Sequence, residues 1–319
     1  MILVTGGAGF IGSNLVRALN ESGESDILIV DNLGPGPKFR NLFGLQFADY
    51  IDKRDFRRRL VSGAFDQQPF KVIYHQGACT STTETNAAYV MDNNYEYSKE
   101  LLHFALHRGI PFIYASSAAT YGGSGVFREE PEYERPLHVY GFSKLALDNY
   151  ARTLFSSVQS TVVGLRYFNV YGPNEAHKGR MSSVIHQFSR QARETGVIQL
   201  FKGSGGYKDG EQRRDFVYVG DIVRINLFLA EGPVRKGIYN AGTGRSASFN
   251  DVARAVIAMA GPGRIEYVDF PEDLNGKYQH LTQADLTRLR ATGYRRPFMN
   301  VEQGVALTFQ AAQAASCNA

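Results

Sequence analysis

Cysteine is scarce, with Cys79 and Cys317 the only two in 319 residues. One sits in an apolar stretch and the other in a small-residue tail, so no disulfide framework is implied and a reducing compartment fits. Also missing is any apolar run near the ~18 residues that a membrane span needs. The opening Met1-Ile2-Leu3-Val4 reads as a strand rather than a charged leader, which points to the cytoplasm and away from a membrane. Neither sign of charge dominates: 35 Lys and Arg stand against 31 Asp and Glu, a net of +4. That excess can help hold a small anion but is too slight to argue for nucleic acid. No H-E-x-x-H and no paired cysteines accompany His103 and His107, four apart, or His75 near Cys79, so no metal site is expected. There is no internal repeat, and the one biased stretch, Gln310–Ala315, reads as the fraying end of a helix.

What is present is alternation. Ile2–Val4, Asp26–Asp31, Leu45–Tyr50, Val72–His75, Phe112–Ala115 and Val162–Tyr167 read as strands. Helical patterns fall between them at Ile11–Leu19, Asp55–Val61, about Thr85 to His107, and Tyr140–Leu154. Such βαβ repetition predicts an α/β, Rossmann-type, doubly wound parallel sheet. After Tyr171-Gly172-Pro173 the regularity breaks, and Gly- and charge-rich loops separate shorter elements, with helices near Asp251–Met259 and Val301–Gln310. The expected organisation is a dinucleotide-binding domain over 1–168 and a smaller α/β substrate domain over 169–319. Asp215–Asp221 reads as a strand returning to the main sheet, within a segment of about 215–244 that rejoins the first domain.

Thr5-Gly6-Gly7-Ala8-Gly9-Phe10-Ile11-Gly12 lies between the first strand and the first helix. Glycines at 6, 9 and 12 give G-x-x-G-x-x-G: a tight turn, backbone approach to a pyrophosphate, and close packing of helix on sheet. The helix N-terminus then offers unpaired N–H groups to phosphate. Asp31, nineteen residues past Gly12, ends the second strand where an acid would bind an adenosine ribose and favour NAD. Lys38, Arg40 and Lys53 follow nearby and would instead suit a 2′-phosphate, so the residues alone leave NAD and NADP open.

Tyr140-Gly141-Phe142-Ser143-Lys144 is Y-x-x-x-K, whose i,i+4 spacing puts phenol and ammonium on one helix face. A tyrosine with its ordinary pKa of ~10 is a poor base at neutral pH. A cation at Lys144 and a positive nicotinamide are expected to lower it, making a group that takes an alcohol proton while hydride leaves the carbon. Ala115-Ser116-Ser117-Ala118, after a strand, offers a hydroxyl to the substrate oxygen and the tyrosine.

In order, TGGAGFIG, HQGAC, YASSAATYG, YGFSK, RYFNVYGP and RRDFVYVGD resemble the extended short-chain dehydrogenase/reductases, the sugar-nucleotide epimerases and dehydratases. The dehydratases carry an Asp-Glu pair after the serine or threonine; here Ser117 is followed by Ala118-Ala119-Thr120-Tyr121, which disfavours loss of water. Val30–Leu33, Thr82–Glu84, Met91–Tyr95, Tyr97–His103, Arg166–Pro173 with His177-Lys178-Gly179, and Thr282–Thr287 are similar to one family within that group, the ADP-heptose 6-epimerases.

That resemblance implies NADP as cofactor, held by Phe10, Ile11, Asp31, Asn32, Lys38, Lys53, Gln76, Gly77, Ala78, Cys79, Thr80, Asn93, Tyr140, Lys144, Val170 and Lys178. It implies substrate contacts at Asn169, Arg180, Gln187, Phe201, Lys202, Gly203, Ser204, Arg214 and Tyr278. The reaction implied is inversion at C6 of ADP-D-glycero-β-D-manno-heptose, through an aldehyde, in the supply of lipopolysaccharide core. Tyr140 and Lys178 would be the two acid/base groups, with Lys144, Ser116 and Ser117 in support. Lys178 must then be partly neutral, its pKa brought down from ~10.4 by burial or nearby cations. Arg214 is expected to fork onto the diphosphate, and backbone N–H groups of Phe201–Ser204 to meet a phosphate. The Tyr-rich helix (Tyr89, Tyr95, Tyr97) is expected to pack against a partner helix, in a homo-oligomer that the family makes a homopentamer.

Four features depart from the family pattern: Gln76 where Glu is expected, Gln187 where His is expected beside His186, Arg180 for a small residue, and a longer loop over Gly205–Gln212. Two other functions compete. A UDP-hexose 4-epimerase shares the chemistry, and a non-catalytic NADP-binding sensor shares the fold; the intact Ser116/Ser117, Tyr140, Lys144 set argues against the second.

Overall fold

In a computed structural model, residues 1–233, 235–271 and 279–317 are described. The first half alternates strand and helix: β1 Ile2–Thr5, α1 Phe10–Glu21, β2 Ile27–Asp31, β3 Asp49–Asp52, α2 Lys53–Val61, β4 Val72–His75, α3 Ala87–Met91, α4 Tyr97–His107, β5 Phe112–Ser117, α5 Val139–Leu154 and β6 Val162–Tyr167. A shorter, less regular set follows: β7 Asn169–Tyr171, α6 Val184–Thr195, β8 Val197–Phe201, β9 Arg213–Arg214, β10 Phe216–Tyr218 and α7 Val219–Ala230. The chain then runs through β11 Lys236–Ala241, β12 Ala247–Ser248, α8 Phe249–Ala260, β13 Arg264–Val268, α9 Thr287–Ala291 and α10 Val301–Cys317.

Seven strands make one parallel sheet in the order β11-β6-β5-β4-β1-β2-β3. A parallel sheet is covered on both faces, which is why β1, β2 and β4 are unbroken, fully buried runs. One face packs against Leu15, Val16 and Leu19 of α1 and Ile222, Val223, Ile225 and Leu229 of α7. The other meets Phe56 and Leu60 of α2, Leu101 and Leu102 of α4, and Leu147 and Ala151 of α5. The strand order reverses between β1 and β4, and a cleft opens there beyond the carboxyl ends of the strands. A third core, of Tyr171, Ile185, Phe188, Ile198, Leu200, Phe216, Val252, Val256, Val301 and Val305, closes the layer over that cleft.

Two expectations shift by a few residues. The Leu45–Tyr50 strand is found at Asp49–Asp52, because Leu45 and Phe47 pack onto the core from a loop. The stretch from Thr85 is helical from Ala87, where Asn86 caps it, and a wide π-type turn at Asp92–Glu96 separates α3 from α4. The helix over Gln310–Ala315 continues to Cys317. Tyr97 turns into its own chain, edge-on to His75 at 5.3 Å, and Tyr95 meets Tyr150 of α5 at 6.2 Å; Tyr89 alone of the three is largely exposed.

One expectation is corrected. Asp215–Asp221 is no strand of the main sheet: Phe216–Tyr218 pairs with Asn169–Tyr171 in a separate two-stranded sheet, and Val219 already begins α7. The strand that joins the main sheet is Lys236–Ala241, beside β6. The physical reason is Asp215. Its buried carboxylate accepts hydrogen bonds from Thr243 N and Oγ1 (both 2.7 Å), Gly244 N (2.9 Å) and Ala284 N (3.0 Å), which breaks the run between β9 and β10.

His75 ends β4 fully enclosed, with Nδ1 2.6 Å from Thr5 Oγ1 and Nε2 2.8 Å from Ser98 Oγ. Burial, aided by the Lys144 cation, pushes its pKa down to about 3. Below its ordinary value of about 6.5 the unfolded chain therefore binds a proton that the folded chain refuses, so stability is present above pH 6.5 and lost as pH falls. Between pH 7 and pH 5 this one group should remove about 2 kcal/mol from the unfolding free energy. Urea unfolding of the wild type and His75→Asn at both pH values isolates it, and equal pH dependence in the two would show that His75 accepts its proton in the fold.

Candidate active site

The glycine turn builds one wall of the cleft. A Cβ at Gly12 would sit 2.1 Å from the Gly6 carbonyl oxygen, so α1 reaches its depth on the sheet only with glycine there. Gly9 caps α1 without any side-chain bond, leaving the first-turn N–H groups without a side-chain acceptor. A cavity of about 220 Å³ runs from this turn over the ends of β1 and β2, bordered by Gly6, Asp31, Asn32, Lys38, Lys53, Gly77, Ala78, Cys79 and Asn93. Asp31 accepts from Ala8 N (2.9 Å) and from Lys38 Nζ (2.5 Å), so its charge is matched within the chain. Lys53 donates to Asn93 Oδ1, and burial beside Arg57 lowers its pKa.

The wide turn at Asp92–Glu96 brings two asparagines into play. Asn93 meets Lys53, while Asn94 brackets the Cys79 backbone (Cys79 N to Oδ1, 2.8 Å; Nδ2 to Cys79 O, 2.9 Å) and donates to Ser143 Oγ (3.0 Å). Asn94 was not among the expected residues, and neither was Tyr97, whose buried hydroxyl has no hydrogen-bond partner among the described residues and whose side chain borders the same cavity. π-type turns gather at functional sites because they swing side chains out of helical register, a distortion that spacing rules do not reveal.

A second cavity of about 490 Å³ shares Ala78 with the first. Tyr140, Lys144, Ser116, Ser117, Phe10, Ile11, Gln76, Ala78, Thr80, Asn169, Val170, Lys178, Phe201 and Arg214 all border it. His138 caps α5 by accepting Gly141 N–H (3.1 Å), and a Cβ at Gly141 would lie 2.7 Å from Ala119 O. Glycine inside Y-x-x-x-K thus lets the helix touch the segment after Ser117. The two serines divide: Ser116 is buried and donates to Asp148 Oδ2 (2.9 Å), while Ser117 lines the cavity with Tyr140 and acts to lower the pKa of its phenol.

The expected lowering of the Tyr140 pKa is not found in the protein alone. Burial pushes the phenol up, and Ser117 offsets only part of that rise. Lys144 does not counter it, because its amine is directed at Ala115 O (2.7 Å) and is itself pushed down to about 8 by burial, against the pull of Asp148. Lys178 behaves as anticipated: burial lowers its pKa against Glu175, and its amine stands over the Phe10 ring at 5.3 Å.

The expected substrate contacts separate by face. Arg214 borders the cavity, its guanidinium 5.7 Å from the Phe249 ring, while Arg213 turns to Ser246. The N–H groups of Lys202 and Gly203 are not open to a phosphate, since they donate to Val268 O (2.8 Å) and Asp209 Oδ1 (2.7 Å). Strand β13 and the long loop claim them first. Lys202 pairs with Asp269 (2.7 Å), and Ser204 Oγ accepts from Gln212 (3.1 Å). Gln187 donates to Ser182 O (2.9 Å), and Arg180 is exposed. Gln76 is tied to Tyr167 (2.8 Å) and Asn226 (3.1 Å). Tyr278 lies outside the described residues. Met181, Ser182, Ser183, Val184, Phe216 and Phe249 border the cavity unanticipated; the Ser-Ser pair ahead of α6, where Ser183 caps His186 N, was the available signal.

Together the two cavities carry the donor set of an extended dinucleotide: a glycine turn closed to any Cβ, an uncapped helix start, and an acid and two lysines at the far end. Residues 2–242 match the sequence model of the NAD dependent epimerase/dehydratase family. The chain is 57% identical over 305 residues, 96% of its length and 95% of the relative's, to ADP-L-glycero-D-manno-heptose-6-epimerase of Alkalilimnicola ehrlichii. Its fold is similar to the crystal structure of the Helicobacter pylori ADP-L-glycero-D-manno-heptose-6-epimerase, with TM-score 0.85, 30% identity, and coverage of 98% of this chain and 96% of that one. The Thermus thermophilus UDP-glucose 4-epimerase in complex with NAD aligns with TM-score 0.79 at 28% identity, covering 98% and 99%. The chain belongs to the NAD dependent epimerase/dehydratase family.

Proposed function

We propose that this enzyme inverts C6 of the heptose in ADP-D-glycero-β-D-manno-heptose, giving the L-glycero epimer, by oxidation and re-reduction in one site. The observation that carries the reading is that Tyr140 and Lys178, from separate parts of the chain, border a single cavity, in a protein 57% identical to a heptose 6-epimerase. The bound nicotinamide would accept hydride from C6, leaving a ketone, since C6 is bonded to carbon on both sides and cannot give the expected aldehyde. It would return the hydride to the other face, and its positive ring would favour the phenolate of Tyr140.

The protein's part is proton transfer and orientation. Inversion exchanges the positions of hydrogen and oxygen on C6, so one fixed acid/base group cannot reach the oxygen in both epimers. Tyr140, with Ser117 acting to lower the pKa of its phenol, would serve one epimer. Lys178, already shifted toward its neutral amine by burial, would serve the other. Lys144 on the Ala115 carbonyl holds α5 to the end of β5. Arg214 is placed to meet the nucleotide diphosphate.

The cofactor is read as NADP. An acid at the end of β2 ordinarily discriminates against a 2′-phosphate, but here Lys38 already neutralises Asp31 and Lys53 adds a second cation in the same cavity. The resemblance further implies a cytoplasmic homo-oligomer, a homopentamer in the family, that supplies lipopolysaccharide core. No helix of the described residues is long and apolar enough to cross a membrane.

Tyr140→Phe and Lys178→Met should each lower turnover about 10²–10⁴-fold, with products identified by NMR; near-normal activity in either would remove that residue from the mechanism. UDP-galactose assayed beside ADP-heptose is expected to be a poor substrate, and the reverse preference would favour a 4-epimerase. Replacing Lys38 or Lys53 with Met should weaken NADPH binding, read by nucleotide fluorescence, at least about tenfold, while NADH changes less. Equal losses for both nucleotides would contradict the assignment of these lysines to a 2′-phosphate.

A further inference from the structure

The loop that ends at Lys178 is anchored at two places. Within its own layer, the buried Glu175 carboxylate accepts from Gly172 N (3.1 Å), Ser183 N (2.6 Å) and Ser183 Oγ (2.7 Å). The other anchorage is to the cofactor-binding half, and it is made by amide side chains. Asn14 Nδ2 donates to Pro173 O (3.1 Å), and Asn174 Nδ2 donates to Ser13 Oγ (2.9 Å). Asn174 does so at φ 75, the one positive φ of a non-glycine among the described residues.

A third amide joins more. Asn41, in the short turn Pro37–Leu42, directs Nδ2 at Ala8 O (3.0 Å) in the glycine turn, at Asn174 O (3.2 Å), and at His177 Nδ1 (3.2 Å). Two hydrogens are thus shared among three acceptors on two segments. His177 directly precedes Lys178, and burial with the Lys38 and Lys178 cations pushes its pKa down to about 4. The ring is therefore neutral near pH 7, and with the proton on Nε2 its Nδ1 can accept. The same turn carries Lys38, which reaches Asp31. One short stretch, residues 38 to 41, touches the acid of the adenosine end and the neighbour of the second proton-transfer group.

We propose that Asn41 is a positioning residue for Lys178, so that the cofactor-binding half of the molecule aims this amine. The inference rests on the assignment of Lys178 as the second acid/base group. The Lys178 amine makes no ion pair among the described residues and faces an aromatic ring, so its own backbone must place it. Downstream, Gly179 at φ 52 bends the chain and its carbonyl accepts from Ser182 N (3.2 Å) and Oγ (2.7 Å), so the turn is held within its own layer on that side, and the upstream amides set its direction relative to the cofactor-binding half. Misplacement by an ångström is enough to slow a proton or hydride step severely.

The test uses NADP-loaded protein mixed rapidly with each C6 epimer in turn, following the first-turnover rise at 340 nm. Lys178→Met should slow oxidation of one epimer selectively. Asn41→Ala should slow that same epimer about tenfold and the other less than about twofold. Hydrogen exchange should rise over residues 174–183 and stay unchanged over 116–121. Asn41→Asp, equal in shape but unable to donate, should reproduce the effect and serves if the alanine variant folds poorly. If Lys178→Met slows both epimers alike, the assignment of Lys178 fails and the inference falls with it. If Lys178→Met is selective while both Asn41 variants slow the epimers equally or not at all, or exchange over 174–183 is unmoved, Asn41 has no positioning role.

Discussion

Two amines with no carboxylate in direct contact mark the cavity of about 490 Å³ in this cleft. Lys144 rests on a backbone carbonyl and Lys178 on an aromatic face, and among the described residues neither forms an ion pair. An enclosed ammonium whose nearby carboxylate is not in direct contact sheds part of its preference for the proton. Both lysines accordingly sit below their ordinary range, and the phenol between the sheet and the cofactor cleft sits above its own. The lysine shifts run toward neutral pH, where proton transfer works best, and the phenol's shift runs away from it.

The nearest strong negative charge is kept close but occupied. Asp148 lies one helical turn beyond Lys144 and receives Ser116 (2.9 Å), Tyr114 (3.0 Å) and the fully buried Arg166 (2.9 Å). Arg166 in turn meets Glu134 (2.5 Å), which also holds Arg152 (2.5 Å). This network fastens the end of β5 to α5 and β6. It explains how Ser117 and Tyr140, on different elements, keep a common geometry, and why Asp148 tempers the Lys144 amine without capturing it. Breaking a buried pair of this kind leaves an uncompensated charge, so the network is expected to tolerate little change.

The layer above the cleft is joined to the sheet rather than set beside it. Helix α7 and strand β11 return to the sheet, and Ala284, Leu289, Tyr294 and Phe298 pack into the same core. Asp215 is the junction, its carboxylate collecting the backbone of two later segments. A cavity formed between layers that share a core can hold Arg214, Lys178 and Tyr140 around one space with little play.

The sequence by itself determined what depends on near neighbours. Gly6, Gly9 and Gly12 could be read because turn geometry and helix approach are local demands, and Tyr140 with Lys144 because four residues make one helical turn. The doubly wound parallel sheet followed from the alternation of strand and helix, which admits few right-handed windings. Tertiary structure alone decided which donors stay open. Lys202 and Gly203 read as phosphate-binding until strand β13 and Asp209 were seen to hold their N–H groups. Ser116 and Ser117 were indistinguishable until Asp148 engaged one of them. Asn41, more than a hundred residues before Lys178, carries no motif at all. Hydrogen-bond donors and buried charges are satisfied by whichever group the fold brings within about 3 Å, and spacing along a chain does not encode that proximity.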